Sequence, residues 1–491
     1  MSTNPYLALG VRPFINCCSV RTMHGGSLML PQVRAAIDAA SRQFVNLDEL
    51  MTAAAKRIAE LTAAEWGIVT CGSAAAVALG TAACVAGNDP VKMLRLPFTD
   101  GMANRAIIPR QQRFAYDQAV RMCGCHIVEV ETRAELDKAL EEPVALVVLL
   151  GKQEHLTPVR LEEFVEVCRP RGIPIMVDAA SEHIERPSPW LARGADLVVY
   201  SGGKFLRGPQ TSGLLLGRKG LVEAAWRNGS PHQALGRPMK VSKEDIIGVL
   251  AALEYWFGER DEAAEIAKWD ADCATIAARV AQIPGVASEV VAAAGIDRVP
   301  RLKIVWDREK YPLDGLALRQ RALDGEPRVM LDDNSATQNS IAVDPFQLQP
   351  GEAEQVGDAI VAALLVSAQA EPVLARAPAL SVAGSWELQL DLLHGARVHR
   401  LDLEQRGASL TGHQRSSQFD GPISGALDGD VVRFSFGGRY EASNLSFHFE
   451  GTVADGAMAG TVALGAASDQ NAGVVNRSQF GSGEWRAKRV A

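Results

Sequence analysis

Ile173-Pro174-Ile175-Met176-Val177-Asp178 is a short apolar run closed by a carboxylate, and its reading as a strand decides the fold. Upstream, Val144-Ala145-Leu146-Val147-Val148-Leu149-Leu150 is a continuous apolar run of the kind found in parallel strands buried on both faces. The segment Leu161 to Cys168 between them carries helical spacing. Downstream, Ala195 to Tyr200 and Ser212 to Leu216 read as further strands. Toward the N-terminus, the helical pattern Leu50 to Leu61 leads into the β-like stretch Glu65-Trp66-Gly67-Ile68-Val69-Thr70, and Cys71-Gly72-Ser73-Ala74-Ala75-Ala76 then opens an alanine-rich helix. Strands alternating with helices predict an open, mostly parallel α/β sheet.

Beyond this region, helical patterns dominate from about Ser242 to Asp314, and a mixed segment containing Ser340-Ile341-Ala342-Val343 and the helix Gly351 to Leu365 follows, which predicts a smaller α+β domain. Alanine and proline replace periodicity from Ala368 to Gly384, as in a linker. The stretches Trp386 to Leu390, Val398 to Leu403, Val431 to Phe436 and Leu445 to Phe449 then alternate apolar and polar residues between Gly/Asp turns, which predicts an antiparallel barrel or sandwich. The expected division is 1–241 for the N-terminal segment and large α/β domain, 242–367 for the α+β domain, 368–383 for the linker and 384–491 for the β domain.

With 47% hydrophobic and 22% charged residues, the 491-residue chain has the balance of an ordinary globular protein. A net charge of −8 gives no overall footprint for nucleic acid. No segment offers the roughly 18 uninterrupted apolar residues of a membrane span, and Met1 to Gly10 lacks a basic and apolar leader, so a soluble cytoplasmic protein is expected. The eight cysteines do not form a dense disulfide framework. Neither Cys17-Cys18 nor Cys123/Cys125 has metal-site spacing, and His394, His399, His413 and His448 lack ligand spacing, so no metal is expected.

Three features carry chemistry. Lys204 sits in Ser201-Gly202-Gly203-Lys204, between two buried strands, where low-dielectric walls lower the proton affinity of an amine, as Schiff-base chemistry requires. Alone, it would read as an exposed loop lysine. Asp178 closes a strand at the end where parallel sheets bind ligands, and a carboxylate there can pair with a protonated pyridine nitrogen; its structural alternative is a helix N-cap. Cys71-Gly72-Ser73 offers backbone N–H groups, a hydroxyl and a helix N-terminus, a setting for phosphate. The order of phosphate turn, aspartate and then a lysine 26 positions later resembles the aminotransferase-type, or fold type I, pyridoxal-phosphate enzymes.

The resemblance sharpens in Ile15-Asn16-Cys17-Cys18-Ser19-Val20-Arg21-Thr22-Met23-His24-Gly25-Gly26-Ser27, in Ile58 to Ala76, in Val177-Asp178-Ala179-Ala180-Ser181-Glu182 and in Ser201 to Gly213. These segments resemble the family of selenocysteine synthase and D-glucosaminate-6-phosphate ammonia-lyase over residues 10 to 366, with the lyase branch the better fit in Gly-Gly-Lys-Phe-Leu-Arg-Gly-Pro-Gln. The resemblance implies pyridoxal 5'-phosphate as cofactor. It also implies Lys204 as Schiff-base lysine and general acid/base, Asp178 at the pyridine nitrogen, Gly72, Ser73 and Ser201 near the phosphate, and Ser181 toward the ring hydroxyl.

For the group against the ring, the family likeness points to Gln112 to Tyr116, within which Arg113 and Tyr116 are both candidates; the family's more usual histidine is not evident. Thr22, His24, Gly25 and Gly26 match an N-terminal motif expected by the active site, on the substrate side or across a dimer interface. His24 reads equally as a packed histidine. Arg328 is the candidate for the substrate carboxylate and reads equally as a surface arginine.

The resemblance therefore implies a pyridoxal-phosphate-dependent lyase acting on a small polar amino acid by α-proton abstraction and β-elimination, in a homodimer or higher homo-oligomer. An aldolase or racemase is the alternative on the same scaffold. Only the short segment Met1–Phe14 precedes the Ile15-Asn16 motif, leaving no room for an N-terminal RNA-binding domain, which with the acidic balance weighs against selenium transfer and nucleic-acid partners. A binding protein with a degenerate enzyme domain is disfavoured by the retention of Lys204 and Asp178.

Overall fold

The computed structural model describes residues 4–294, 298–369, 376–454, 456–468 and 479–490, so part of the expected linker, 370–375, lies outside the described residues. The chain divides into two compact units, Met1–Asp332 with Ala336–Leu365, and Asp333–Ser335 with Val366–Ala491.

The first unit is built on a seven-stranded sheet of Trp66–Thr70 (β1), Arg105–Pro109 (β2), His126–Val130 (β3), Leu146–Leu150 (β4), Ile175–Asp178 (β5), Leu197–Ser201 (β6) and Gly213–Gly217 (β7), ordered β1-β7-β6-β5-β4-β2-β3. All neighbours are parallel except β7, which runs against both β1 and β6. Every residue of β4, β5 and β7 is buried, which accounts for the continuous apolar runs. The helix Ser73–Ala86 packs so closely on the sheet that a Cβ at Gly80 would stand 2.8 Å from the sulfur of Met176. The preceding helix, Leu47–Thr62, starts at Asn46, whose side chain accepts from the Asp48 and Glu49 N–H groups.

A second core in the same unit surrounds a three-stranded antiparallel sheet with Arg301–Trp306 between Ser340–Val343 and Val286–Val291. Its limits differ from the expected break at 241/242. The helix Lys243–Gly258 buries Ile246, Val249 and Leu253 in the core of the large sheet, because its apolar face meets the helices Pro31–Ser41 and Leu47–Thr62. Conversely, Ile15–Cys17 pairs in parallel with Val329–Leu331 and sends Ile15 and Cys17 into the second core.

The second unit contains a closed barrel of eight antiparallel strands, in which Gly384–Leu392 pairs with Ser482–Arg489 to complete the ring. Trp386, Leu388 and Leu390 alternate inward along the first strand. Phe434 and Phe449 stack across neighbouring strands with centroids 4.7 Å apart, and the Trp485 ring stands edge-on to both. Closure removes the sheet edges, so of the two expected β architectures the barrel is the one formed.

Candidate active site

The C-terminal ends of the parallel strands converge on Lys204. Its turn is tied down from both sides, with the Gly202 N–H donating to the Ser212 carbonyl and the Gly208 N–H to the Gly202 carbonyl. The Lys204 Nζ donates to Ser181 Oγ at 3.3 Å. Burial lowers the proton affinity of this amine; the nearby charge of Asp178 opposes that, and Lys152 adds to it.

Asp178 is buried, and its Oδ1 accepts the Ala180 N–H at 2.9 Å, while Oδ2 takes no hydrogen bond among the described residues. Burial raises its proton affinity, against the Ala180 N–H and the Lys204 charge. A buried carboxylate with one free oxygen can receive a proton donor such as a protonated pyridine nitrogen.

The helix Ser73–Ala86 begins beside this pair. Gly72 adopts φ +105°, a conformation that L side chains rarely take, and no described group accepts from the N–H groups of Ser73, Ala74 and Ala75. A Cβ at Gly213 on β7 would stand 2.5 Å from the Gly72 carbonyl carbon and 2.6 Å from the Ser73 nitrogen, so that glycine lets the turn settle on the sheet. The exposed helix dipole end suits a phosphate. Together with the free oxygen of Asp178, it fits pyridoxal 5'-phosphate.

The N-terminal motif is seated on the same turn. Both the N–H and the hydroxyl of Ser27 donate to the Gly203 carbonyl, and Gln210 Nε2 donates to the Thr22 carbonyl. A Cβ at Gly26, which has φ +71°, would stand 2.7 Å from that Gly203 carbonyl oxygen. Gly25 adopts φ +93° in open space, and the His24 ring packs edge-on to Phe14 with centroids 5.4 Å apart.

The two ring-side candidates separate. Arg113 is buried and pairs with Asp117 and Glu129, so its guanidinium is committed to structural carboxylates. Tyr116 is half exposed, and its hydroxyl is held above the usual phenol range by burial and by the charge of Asp178. Arg328 donates to the Leu323 and Arg12 carbonyls, the contacts of a backbone clamp and not of a guanidinium held open for a carboxylate.

Two further residues belong to the neighbourhood. Lys152 lies just past the end of β4, whose Leu150 is in register with Asp178, and it is an exposed cation felt by Lys204. Glu182, directly after Ser181, carries a buried carboxyl whose proton affinity is raised by burial and by the charge of Asp178. The strand-end rule that singled out Asp178 also reaches Gly151-Lys152, and this was the available signal for it. Among the described residues there is no cluster suited to a metal ion, no disulfide joins any of the eight cysteines, and no helix is long and apolar enough to cross a membrane.

The Aminotransferase class-V family matches residues 41–281. The chain is 29% identical over 365 residues to the D-glucosaminate-6-phosphate ammonia lyase of Salmonella typhimurium, covering 72% of this chain and 95% of the relative. It is 32% identical over 369 residues to a 5'-C-glycyluridine monooxygenase-decarboxylase of a Streptomyces species, covering 72% and 90%. The L-seryl-tRNA(Sec) selenium transferase of Moorella thermoacetica is 23% identical over 406 residues, with 72% and 82% covered. A solved D-glucosaminate-6-phosphate ammonia-lyase superposes with a TM-score of 0.68 at 27% identity, over 75% of this chain and all of the other. The protein is thus a pyridoxal-phosphate enzyme of fold type I, and it belongs to the family that includes D-glucosaminate-6-phosphate ammonia lyase and selenocysteine synthase.

Proposed function

We propose that the protein is a lyase that abstracts the α-proton of a small polar amino acid and expels a β-substituent, releasing ammonia and a keto acid. The observation that carries this reading is the Lys204 amine, held at low proton affinity within reach of the Ser181 hydroxyl and beside the buried charge of Asp178. When bound, the cofactor supplies an electron sink for the carbanion left at the α-carbon. Lys204 takes the α-proton at Nζ and is the group placed to return it to the leaving β-substituent. With the cofactor bound, the free oxygen of Asp178 would accept from the protonated ring nitrogen. Ser181 Oγ orients the Lys204 amine, and the Ser73–Ala86 helix start, with Gly72 and Ser201, binds the phosphate.

On the substrate side, the glycine-hinged segment Thr22 to Gly26 lies over the lysine turn, with His24 beside it. The Tyr116 ring, in preference to Arg113, whose guanidinium is paired with Asp117 and Glu129, would be the group against the cofactor ring. Lys152 replaces Arg328 as the cation offered to an anionic substrate group, because Arg328 is spent on two carbonyls while Lys152 is exposed near Lys204. The exposed apolar side chains of Met23 and Leu28, on the segment seated on the lysine turn, support a homodimer or higher oligomer in which a second copy borders the site. A free amino acid as substrate, without nucleic-acid or membrane partners, and a cytoplasmic location complete the reading.

The Streptomyces relative, named as a monooxygenase-decarboxylase and 32% identical, favours a second reading in which the chain oxidatively decarboxylates an amino-acid-bearing substrate. A substrate screen followed at the cofactor absorption band, with product analysis, separates the outcomes. Keto acid with ammonia supports elimination, oxygen uptake with carbon dioxide supports the second reading, released aldehyde indicates an aldolase, and D/L exchange alone a racemase.

A further inference from the structure

Behind the lysine turn lies a carboxyl that none of these roles uses. Glu182 Oε2 accepts the Trp190 indole N–H at 2.8 Å, while Oε1 is buried and takes no hydrogen bond among the described residues. The slot is made by a glycine: a Cβ at Gly151 would stand 2.2 Å from Glu182 Oε1 and 2.7 Å from the Trp190 ring. A cavity of about 10 Å³, bordered by Glu182, Ile184, Tyr200, Ser201 and Leu206, adjoins it, room for about one water. A buried oxygen without a donor is costly as a carboxylate and cheap as a carboxylic acid, whose O–H can turn into that space.

We propose that Glu182 is a positioning residue for the cofactor site: wedged between Gly151 and Trp190, it carries the proton that lets Asp178 stay charged, and losing that proton strengthens the hold of Lys204 on its own. This rests on the assignment of Lys204 and Asp178 to the cofactor.

Burial pushes the Glu182 carboxyl up to about 7, against the Trp190 N–H, with further upward pushes from Asp178, Glu185 and Glu154. The groups facing it are Asp178 at the end of β5, Glu154 after β4, Tyr200 on β6, and Glu185 in its own loop, while the adjacent His183 packs its ring on Phe205 and Trp256. Two of these are already compensated elsewhere, Glu154 by Arg193 and Glu185 by Arg298. Asp178 is the charge left facing Glu182, and a carboxyl beside a carboxylate in a low-dielectric region gives up its proton only at raised pH. A second negative charge on the Asp178 side adds to the upward push that Asp178 already exerts on the Lys204 nitrogen.

The test records the infrared carbonyl band of protonated carboxyls against pH, with and without cofactor, together with the cofactor absorption of the holoenzyme without substrate. In the wild type a carboxyl band is expected to fade near neutrality. Glu182→Gln keeps the shape and removes this band, leaving that of Asp344, and moves the cofactor transition to lower pH by on the order of one unit. Trp190→Phe removes the donor that favours the ionised form, so it moves the Glu182 band to higher pH; a merely structural contact would move neither transition. An unchanged band in Glu182→Gln, or no upward shift in Trp190→Phe, overturns the proposal. A protein that binds no cofactor tells against the cofactor assignment, while the infrared titration of the apoprotein still decides whether Glu182 is the protonated carboxyl.

Discussion

The Lys204 amine stands 3.3 Å from the hydroxyl oxygen of Ser181, which follows the buried Asp178 by three positions. The end of one strand thus carries the carboxylate, and the turn after its parallel neighbour carries the amine, which reaches the Ser181 hydroxyl just past that strand. Lys204→Ala is expected to abolish the cofactor's visible absorption band in the purified protein. Asp178→Asn keeps the Ala180 N–H contact and removes the charge, so cofactor binds but kcat falls by about 10²-fold or more. A native-like band in Lys204→Ala would sink the assignment.

Tyr116 and Arg113 are separated by one pair of substitutions. Tyr116→Ala should leave stability near that of the wild type, shift the absorption band and weaken cofactor affinity by about tenfold, the loss of one ring contact. Arg113→Met should instead destabilise the fold by about 3 kcal/mol, read by urea denaturation, because it strips the fully buried Asp117 of its close partner and leaves, among the described residues, Arg121 at 3.4 Å. The reverse pattern would return Arg113 to the ring.

Gly213→Ala places a methyl group against the turn that starts the helix Ser73–Ala86. The backbone there must shift, so the cofactor dissociation constant should rise by on the order of tenfold, while the melting temperature of the apoprotein changes less than that of the holoenzyme. Equal losses in both forms would assign the glycine to packing alone.

Asp344 is buried between Arg301, at 3.6 Å, and the Phe346 N–H, and burial pushes it up to about 6 from an ordinary 3.8. A carboxyl that holds its proton more tightly when folded contributes stability that is present below the unfolded value and is lost as pH rises through the folded one. The stability of Asp344→Asn, measured by denaturation between pH 4 and 7, should therefore depend less steeply on pH than that of the wild type.

Inside the barrel, His399 Nδ1 meets Gln414 Oε1 at 3.1 Å, and the Nε2 atoms of both residues are buried without a partner among the described residues. His399→Leu leaves the Gln414 amide unsatisfied and should cost about 1–3 kcal/mol, whereas His399→Leu with Gln414→Leu should cost less than the sum of the two. Burial lowers the proton affinity of His399, so its contribution is present above the ordinary histidine value of about 6.5 and declines as pH falls through it. The check is chemical denaturation of the full chain followed by tryptophan fluorescence.

The sequence by itself determined the alternation of strands and helices, the order of Ser73, Asp178 and Lys204 along the sheet, and the alternating strands of the C-terminal domain. Burial on both faces forces apolar runs, one-sided burial forces alternation, and strand-to-helix turns demand glycine and small polar residues, so each of these features is written locally. Only the tertiary structure decided that β7 runs against its neighbours, that the helix Lys243–Gly258 joins the large core, and that the β strands close into a barrel. It also decided that Ser27, after the Thr22 to Gly26 segment, is hydrogen-bonded to the Gly203 carbonyl, that Arg113 and Arg328 are spent on structural partners, and that the charge of Lys152 acts on Lys204 and that of Asp178 on Glu182. Those facts depend on contacts between residues far apart in the chain, where whether a charge is free or engaged follows from which distant carbonyl or carboxylate folding brings beside it.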